Sequence, residues 1–325
     1  MQPLDNEVIE SAVCWSRAGE DVWLCTVLAT YGSSPRAPGA LLVARRDGRS
    51  VGSLSGGCVE EDFLAGLQAG DFQSSVQVVR YGESEGDRQR LELPCGGILE
   101  VLVERLPATP ESLRLLTALH EALRGQRRLI RQVSLHTGAS GLEADEELPG
   151  VERPCVEREG DRLRIRLGPT RRLVIAGVSP VSVACAEFAR SLGFEVIVCD
   201  PRDESIESFD VAGVDKRAIL PSMYLAREGC HAATAVVALT HDPRIDDLAM
   251  IEALRTPAFY IGVMGSRKTS VARAERLQRS GGLSREQIER IHMPIGLAIG
   301  SKTPAEIALA VMADVVRVYH GLDRV

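Results

Sequence analysis

The second half of the chain alternates short apolar runs with amphipathic segments. The runs RRLVIAG, FEVIVCD, TAVVALT and AFYIGVMG lie between residues 171 and 265 and are rich in β-branched residues. Apolar strands separated by helical segments are typical of a parallel sheet that helices cover on both faces. This pattern predicts an α/β fold with a C-terminal Rossmann-like parallel sheet.

The first half has a mixed pattern that predicts a separate N-terminal α+β domain. WLCTVLAT, from Trp23, has the character of a buried strand, and Asp47-Gly48 is a strong hairpin signal between two strand-like pieces. We place this domain at residues 1–168 and the Rossmann-like domain at 169–325. Residues 107–168 include a linker-like segment, because TGASGLEADEELPG has the composition of an exposed loop.

Composition and charge narrow the classes of partner. The chain has 325 residues and a formal net charge of -7, which argues against nucleic acid or an anionic membrane surface as a general partner. The acidic N-terminus MQPLDNEVIE lacks the apolar region of a secretory signal, and no apolar run is long enough to span a bilayer. A cytoplasmic location is expected. The eight cysteines form no C-x-x-C pair, so the spacing indicates neither a disulfide framework nor structural zinc.

One cysteine stands where a helix is predicted to begin, in SLSGGCVEEDFLAGL. Ser55, Gly56 and Gly57 precede Cys58, and glycines let successive N–H groups form an anion-binding concavity. A thiol in the first helical turn is favoured as thiolate, which is a nucleophile and a soft metal ligand. Cys58 is therefore a candidate catalytic and metal-binding residue, although the nearby Glu60 opposes a second anion. The alternative is that the thiol only packs in the turn.

A second cysteine turn repeats this design. Cys95 is followed by Gly96 and Gly97 and then by a predicted strand. We hypothesise that Cys95 shares a pocket with Cys58; the alternative is again simple packing.

The predicted carboxyl ends of the parallel strands carry further candidates. Gly177 opens GVSPVS, and an acid about 20 residues further on, here Asp200, fits contact with ribose hydroxyls. Ser179 replaces the second glycine of a dinucleotide loop, so it either caps its own helix or belongs to a divergent nucleotide site. Further candidates follow two later strands, in THDPRIDD and GSRKT, and the alternative at GSRKT is a capped helix with a solvated basic face. They are Thr240, His241, Asp242, Gly265, Ser266, Arg267 and Lys268.

Several motifs taken together resemble the xanthine dehydrogenase accessory family of the XdhC/CoxI type. They extend over nearly the whole chain: GSSPRAPGA, GSLSGGCVEEDF, CGGILEVLVERL, FEVIVCDPRDE, THDPRIDD, YIGVMGSRKT and MPIGLAIGSKTPAEIALAVMADVV. Carried over by position, the resemblance assigns Cys58 and Glu60 to a glycine-cysteine motif, Cys95 to a second one, and Asp200 with Arg202 to the nucleotide-fold signature.

The resemblance implies an accessory protein rather than an enzyme with turnover. Such a chaperone binds molybdenum cofactor, as molybdopterin or its cytosine dinucleotide form. It supports sulfuration by a cysteine desulfurase and delivers the product to the large subunit of an apo molybdenum hydroxylase. A homodimer is expected by analogy.

Two other functions stay open on the sequence. One is an NAD(P)-dependent oxidoreductase with His241 in proton transfer. The other is a cysteine-based sulfur carrier that uses Cys58 as persulfide acceptor.

Overall fold

The chain folds into two compact units. A computed structural model describes residues 3–31, 36–83, 98–145 and 154–322. The described residues divide between residues 170 and 171. The first unit is α+β and the second is α/β with a parallel sheet, which confirms the predicted fold class.

The first unit contains an antiparallel sheet in the order β3-β2-β1-β5-β4. Its strands are β1 (Val22–Tyr31), β2 (Leu41–Ala44), β3 (Ser50–Gly52), β4 (Val76–Tyr81) and β5 (Ile98–Leu106). The hairpin predicted at Asp47-Gly48 joins β2 to β3 and is confirmed. Helix α1 (Pro3–Arg17) packs on one face of the sheet, and α2 (Cys58–Ala69) packs on the other. The turn before Cys58 is therefore held in place by a helix with a buried apolar side.

A second antiparallel sheet completes this unit, in the order β7-β6-β9-β8. Its strands are β6 (Leu129–Ser134), β7 (Ser140–Ala144), β8 (Val156–Glu159) and β9 (Arg162–Leu167), and helix α3 (Pro110–Leu123) packs into the same core. The prediction of a loop across residues 137–150 is wrong at β7. This is an edge strand with mostly exposed side chains, so backbone pairing with β6 stabilises it and no apolar alternation marks it.

The second unit is built on a parallel sheet in the order β12-β11-β10-β13-β14-β15. The strands are β10 (Arg172–Ala176), β11 (Glu195–Cys199), β12 (Asp215–Arg217), β13 (Thr234–Ala238), β14 (Tyr260–Val263) and β15 (Ile291–His292). The helices are α4 (Pro180–Ser191), α5 (Asp203–Glu207), α6 (Pro221–Glu228), α7 (Pro243–Ala253), α8 (Arg267–Arg279), α9 (Arg285–Glu289) and α10 (Pro304–Tyr319). Separate apolar cores lie on the two faces of the sheet.

The connections of this sheet place the loops that matter for function at one edge. All neighbouring strands are parallel, so the loops that follow β10, β11, β13 and β14 lie at the same edge. The strand order reverses between β10 and β13, where open α/β sheets bind their ligands. Among the described residues, no helix is long and apolar enough to cross a bilayer.

Candidate functional site

The turn before Cys58 is organised around a single carboxylate. Glu60 accepts hydrogen bonds from the N–H groups of residues 54–57 at 2.8–3.0 Å. It also accepts hydrogen bonds from the hydroxyls of Ser53 and Ser55, at 2.8 and 2.7 Å. Burial raises the pKa of Glu60, but the hydrogen bonds from Gly56 and Ser55 and from the Ser53 hydroxyl outweigh it and lower this pKa to about 2. The carboxylate therefore stays ionised at neutral pH.

This arrangement changes the interpretation of the glycines. The N–H concavity predicted from Ser55, Gly56 and Gly57 is present, but the chain's own Glu60 fills it. Cys58 is the first residue of α2 and is half-buried. The helix buries Val59, Phe63 and Leu67 and ends at Gly70, whose φ of 91° lies in the left-handed region that suits glycine. The loop thus presents a thiol on a preordered turn.

The second cysteine turn does not contribute to this geometry. Cys95, Gly96 and Gly97 lie outside the described residues, so the shared pocket with Cys58 stays a prediction. Within residues 3–31, 36–83, 98–145 and 154–322, no group of three or more His, Cys, Asp or Glu side chains is placed to hold a metal ion.

The second unit has a cleft of about 730 Å³ at the carboxyl edge of its sheet. A cleft of this volume accommodates a ligand of cofactor size. Its lining includes His241, which follows β13, and Gly265, Ser266 and Arg267, which follow β14. The loop of residues 294–301 also lines it, with Val181 of α4 and Ile307 of α10.

Two residues of the expected nucleotide signature have structural partners instead. Gly177 has φ 86°, and a Cβ at this position would lie 1.8 Å from Cγ2 of Thr240, so the glycine allows two loops to approach closely. Asp200 is fully buried and accepts hydrogen bonds from the Val178 N–H and from the Arg202 guanidinium and N–H. Burial raises the pKa of Asp200, but the Arg202 and Val178 hydrogen bonds lower it overall.

The loop after β13 holds His241 in an unusual conformation. His241 has φ 116°, while its N–H donates to Oδ2 of Asp246 at 3.2 Å. The Thr240 hydroxyl donates to Oδ1 of Asp246 at 2.6 Å and accepts from the N–H of Asp242. Asp242 caps α7 by accepting from the Arg244 N–H and also binds the Arg244 guanidinium. Buried Asp246 therefore fixes the backbone of the loop.

The loop after β14 begins α8 at the cleft. Ser266 caps this helix by accepting from the N–H of Thr269, so the capped helix predicted for GSRKT is present. The side chains of Arg267 and Lys268 are exposed and form no ion pair with any residue that the structure describes. Gly265, Ser266 and Arg267 line the cleft, whereas Lys268 does not.

The structure thus brings together only part of the predicted set. His241, Gly265, Ser266 and Arg267 share the cleft; Gly177, Asp200, Arg202, Thr240 and Asp242 serve the loops around it. Sequence reasoning assigned no site role to the loop of residues 294–301 or to Asp246. The signal in the sequence that could have indicated the loop of residues 294–301 is its glycines, which stand between a strand and a helix at the carboxyl edge of the sheet, where the other candidate residues lie.

Ser179, which replaces the second glycine of a dinucleotide loop, caps helix α4. Its hydroxyl accepts from the N–H of Ser182, and Pro180 is the first residue of α4.

Comparison with known proteins identifies both units. A family model described as the XdhC Rossmann domain matches residues 173–315, and one described as the XdhC and CoxI family matches residues 15–82. A Bacillus subtilis protein, named as a probable subunit of xanthine dehydrogenase, is 28% identical over 92% of this chain and 93% of its own length. The molybdenum cofactor insertion chaperone PaoD of Escherichia coli is 28% identical over 96% of this chain and 87% of its own length.

Two further relatives extend the comparison. The uncharacterized protein YqeB of E. coli is 34% identical over 92% of this chain but only 43% of its own length. A crystal structure described as a xanthine dehydrogenase from Bacillus halodurans has a TM-score of 0.67 at 22% identity. The match covers 98% of this chain and 97% of that one, so the two share a fold.

Proposed function

Because this chain belongs to the XdhC and CoxI family, we propose that it is a chaperone that binds molybdenum cofactor and inserts it into a molybdenum hydroxylase. The observation that carries the proposal is that family models match both units. In addition, the insertion chaperone PaoD aligns with 96% of the chain.

The cofactor is cargo in this proposal, and the second unit offers the candidate site for its pterin and phosphate. The cleft of about 730 Å³ suits a pterin with its phosphate, because its lining combines a glycine-containing loop with the hydroxyl of Ser266 and the guanidinium of Arg267. The finer assignments are that the cargo is molybdopterin or its cytosine dinucleotide form, and that the client is the large subunit of a xanthine dehydrogenase-type hydroxylase. We further propose that the chain works as a homodimer.

Sulfuration is the step that we assign to the first unit. A cysteine desulfurase would supply sulfur while the chaperone protects the cofactor, and the Cys58 thiol is the candidate sulfur ligand for molybdenum. Thiolates are soft ligands that suit such metals, and the preordered turn keeps Cys58 half-buried at the start of α2. Cys95 is proposed as the second thiol of this step.

The nicotinamide alternative has weaker support. A ribose-binding acid needs a free oxygen, but both oxygens of Asp200 already accept hydrogen bonds from Arg202 or Val178. Ser179 also uses its hydroxyl as a helix cap.

The test is co-purification of the cargo. The chain is produced together with cofactor synthesis, and eluted protein is analysed for molybdenum by mass spectrometry and for oxidised pterin by fluorescence. We expect both to co-elute with the protein, and cofactor-free client enzyme to gain activity on mixing. Protein free of pterin and molybdenum that instead gains thermal stability with NAD or NADP would overturn the proposal in favour of an oxidoreductase.

A further inference from the structure

His241 is held in a conformation that its residue type disfavours. Among the described residues it is the one non-glycine residue with positive φ, at 116°. A side chain at such φ strains the backbone, and strain of this kind persists only where surrounding structure enforces it. The imidazole is exposed in the cleft and has no hydrogen-bond or ion-pair partner within the described parts of the chain. No described element of the fold uses this side chain.

A buried ion pair enforces the conformation. Asp246, with no exposed surface, accepts from the His241 N–H and from the Thr240 hydroxyl. The Arg273 guanidinium donates to Asp246 at 3.1 Å and to the Met264 carbonyl at 2.8 Å. Met264 also lines the cleft, so the pair fixes the loops after β13 and β14 together. Both loops line the cleft.

The charge of the cleft indicates the class of ligand. Arg267 is the charged residue of its lining, His241 is the ionisable one, and no Asp or Glu lines it among the described residues. Two hydroxyls, from Ser266 and Ser301, add hydrogen-bonding groups. Such a lining suits a phosphate ester better than a cation or a neutral ring.

We propose that the imidazole of His241 and the guanidinium of Arg267 bind the phosphate or pyrophosphate group of the cargo, and that Asp246 is the positioning residue that keeps His241 in place. The identity of the cargo rests on the proposed function, because molybdopterin ends in a phosphate and its dinucleotide form contains a pyrophosphate that joins the pterin to cytidine. The anion site itself rests on the cleft.

The first experiment measures strain. His241→Gly removes the disfavoured side chain, whereas His241→Ala keeps the strain and removes only the imidazole. By calorimetry we expect the melting temperature of the second unit to rise by about 2–4 °C in the glycine variant and to stay unchanged in the alanine variant. His320→Gly is the control: His320 is exposed in the same unit and has φ -86°, so this change gives no rise. A fall for His241→Gly would overturn the strain argument.

The second experiment measures anion binding by titration calorimetry with inorganic pyrophosphate. We expect His241→Ala and Arg267→Gln each to weaken binding at least about tenfold. Arg279→Gln, at the far end of α8 and exposed, leaves binding unchanged. Asp246→Ala should lose binding, and Asp246→Asn, which retains an acceptor, should restore part of it.

The outcomes separate the two proposals. Pterin co-purification with unaltered loading in His241→Ala and Arg267→Gln would leave the chaperone function standing and overturn the anion site. Pyrophosphate binding that depends on His241, in a protein that never carries pterin, would support the anion site and overturn the chaperone function. A wild-type protein that binds neither probe contradicts both.

Discussion

Replacing Glu60 by glutamine tests whether one carboxylate holds the turn before Cys58. Glu60→Gln removes the charge that accepts six hydrogen bonds and turns an amide N–H group towards donors such as the Gly57 N–H. The lowering of the pKa from 4.5 to about 2 corresponds to about 3 kcal/mol of folding free energy, and partial solvent screening reduces this to about 2 kcal/mol. We therefore expect the variant to be about 2 kcal/mol less stable at pH 7.

The sign of the pH dependence follows from the lowered pKa. A carboxylate whose pKa is lower in the folded state stabilises the protein fully above its unfolded pKa, here 4.5, and loses that contribution as the pH falls towards 2. The difference between wild type and Glu60→Gln should therefore be constant from pH 7 to about pH 5 and shrink steadily below.

The chain supplies a selective probe for this measurement. Its two tryptophans, Trp15 and Trp23, both lie in the first unit, so urea denaturation followed by tryptophan fluorescence reports on that unit alone. The midpoint should fall with an unchanged slope. Glu61→Gln is the matched control: Glu61 is exposed in the same helical turn and loses only its interaction with the helix dipole, well under 1 kcal/mol. Equal destabilisation in both variants, or a difference that persists unchanged at pH 3, would refute the reasoning.

Three further changes have expected outcomes. Cys58→Ser should fold normally and lose most co-purified molybdenum, whereas Cys14→Ser, at an exposed thiol of α1, should retain it; equal metal content would remove Cys58 from the mechanism. Gly177→Ala should destabilise the second unit by roughly 2–4 kcal/mol through its clash with Thr240, and Thr240→Ser should recover part of that loss in a double-mutant cycle by calorimetry. Asp314→Asn should destabilise the same unit at pH 7. Hydrogen bonds lower the pKa of this carboxyl despite its burial, so the difference in stability should fade as the pH falls below the usual Asp pKa of 3.8. A difference in stability that does not depend on pH would contradict this.

The sequence predicted the elements with strong periodicity. The apolar runs of the second unit became β10, β11, β13 and β14, and the last helix begins at a capping box of Thr303 and Glu306, whose residue types and spacing are a local start signal. These features are local, since a strand or a cap is decided by neighbouring residues. Strand β7 lacked a local signal, because an exposed edge strand depends on its partner rather than on its own side chains.

The site was less predictable because its parts meet only through the fold. Glycines before Cys58 indicated an anion cradle, but only the structure reveals that Glu60 turns back to fill it. Asp246 and Arg273 belong to different helices, and no spacing rule pairs them. Asp200 matched a ribose-binding position, yet its burial and its pairing with Arg202 depend on how the loop after β11 folds back.

The internal carboxylate of the Cys58 turn has a thermodynamic consequence for a carrier. A loop that needs its ligand in order to fold becomes disordered when the ligand dissociates, so the affinity for the ligand includes the free-energy cost of ordering the loop. Here Glu60 holds the turn without any ligand, so on the proposed function we expect loading and release to change few backbone degrees of freedom near the thiol. Transfer to an acceptor can then be governed by the relative strengths of sulfur–metal contacts on the two proteins.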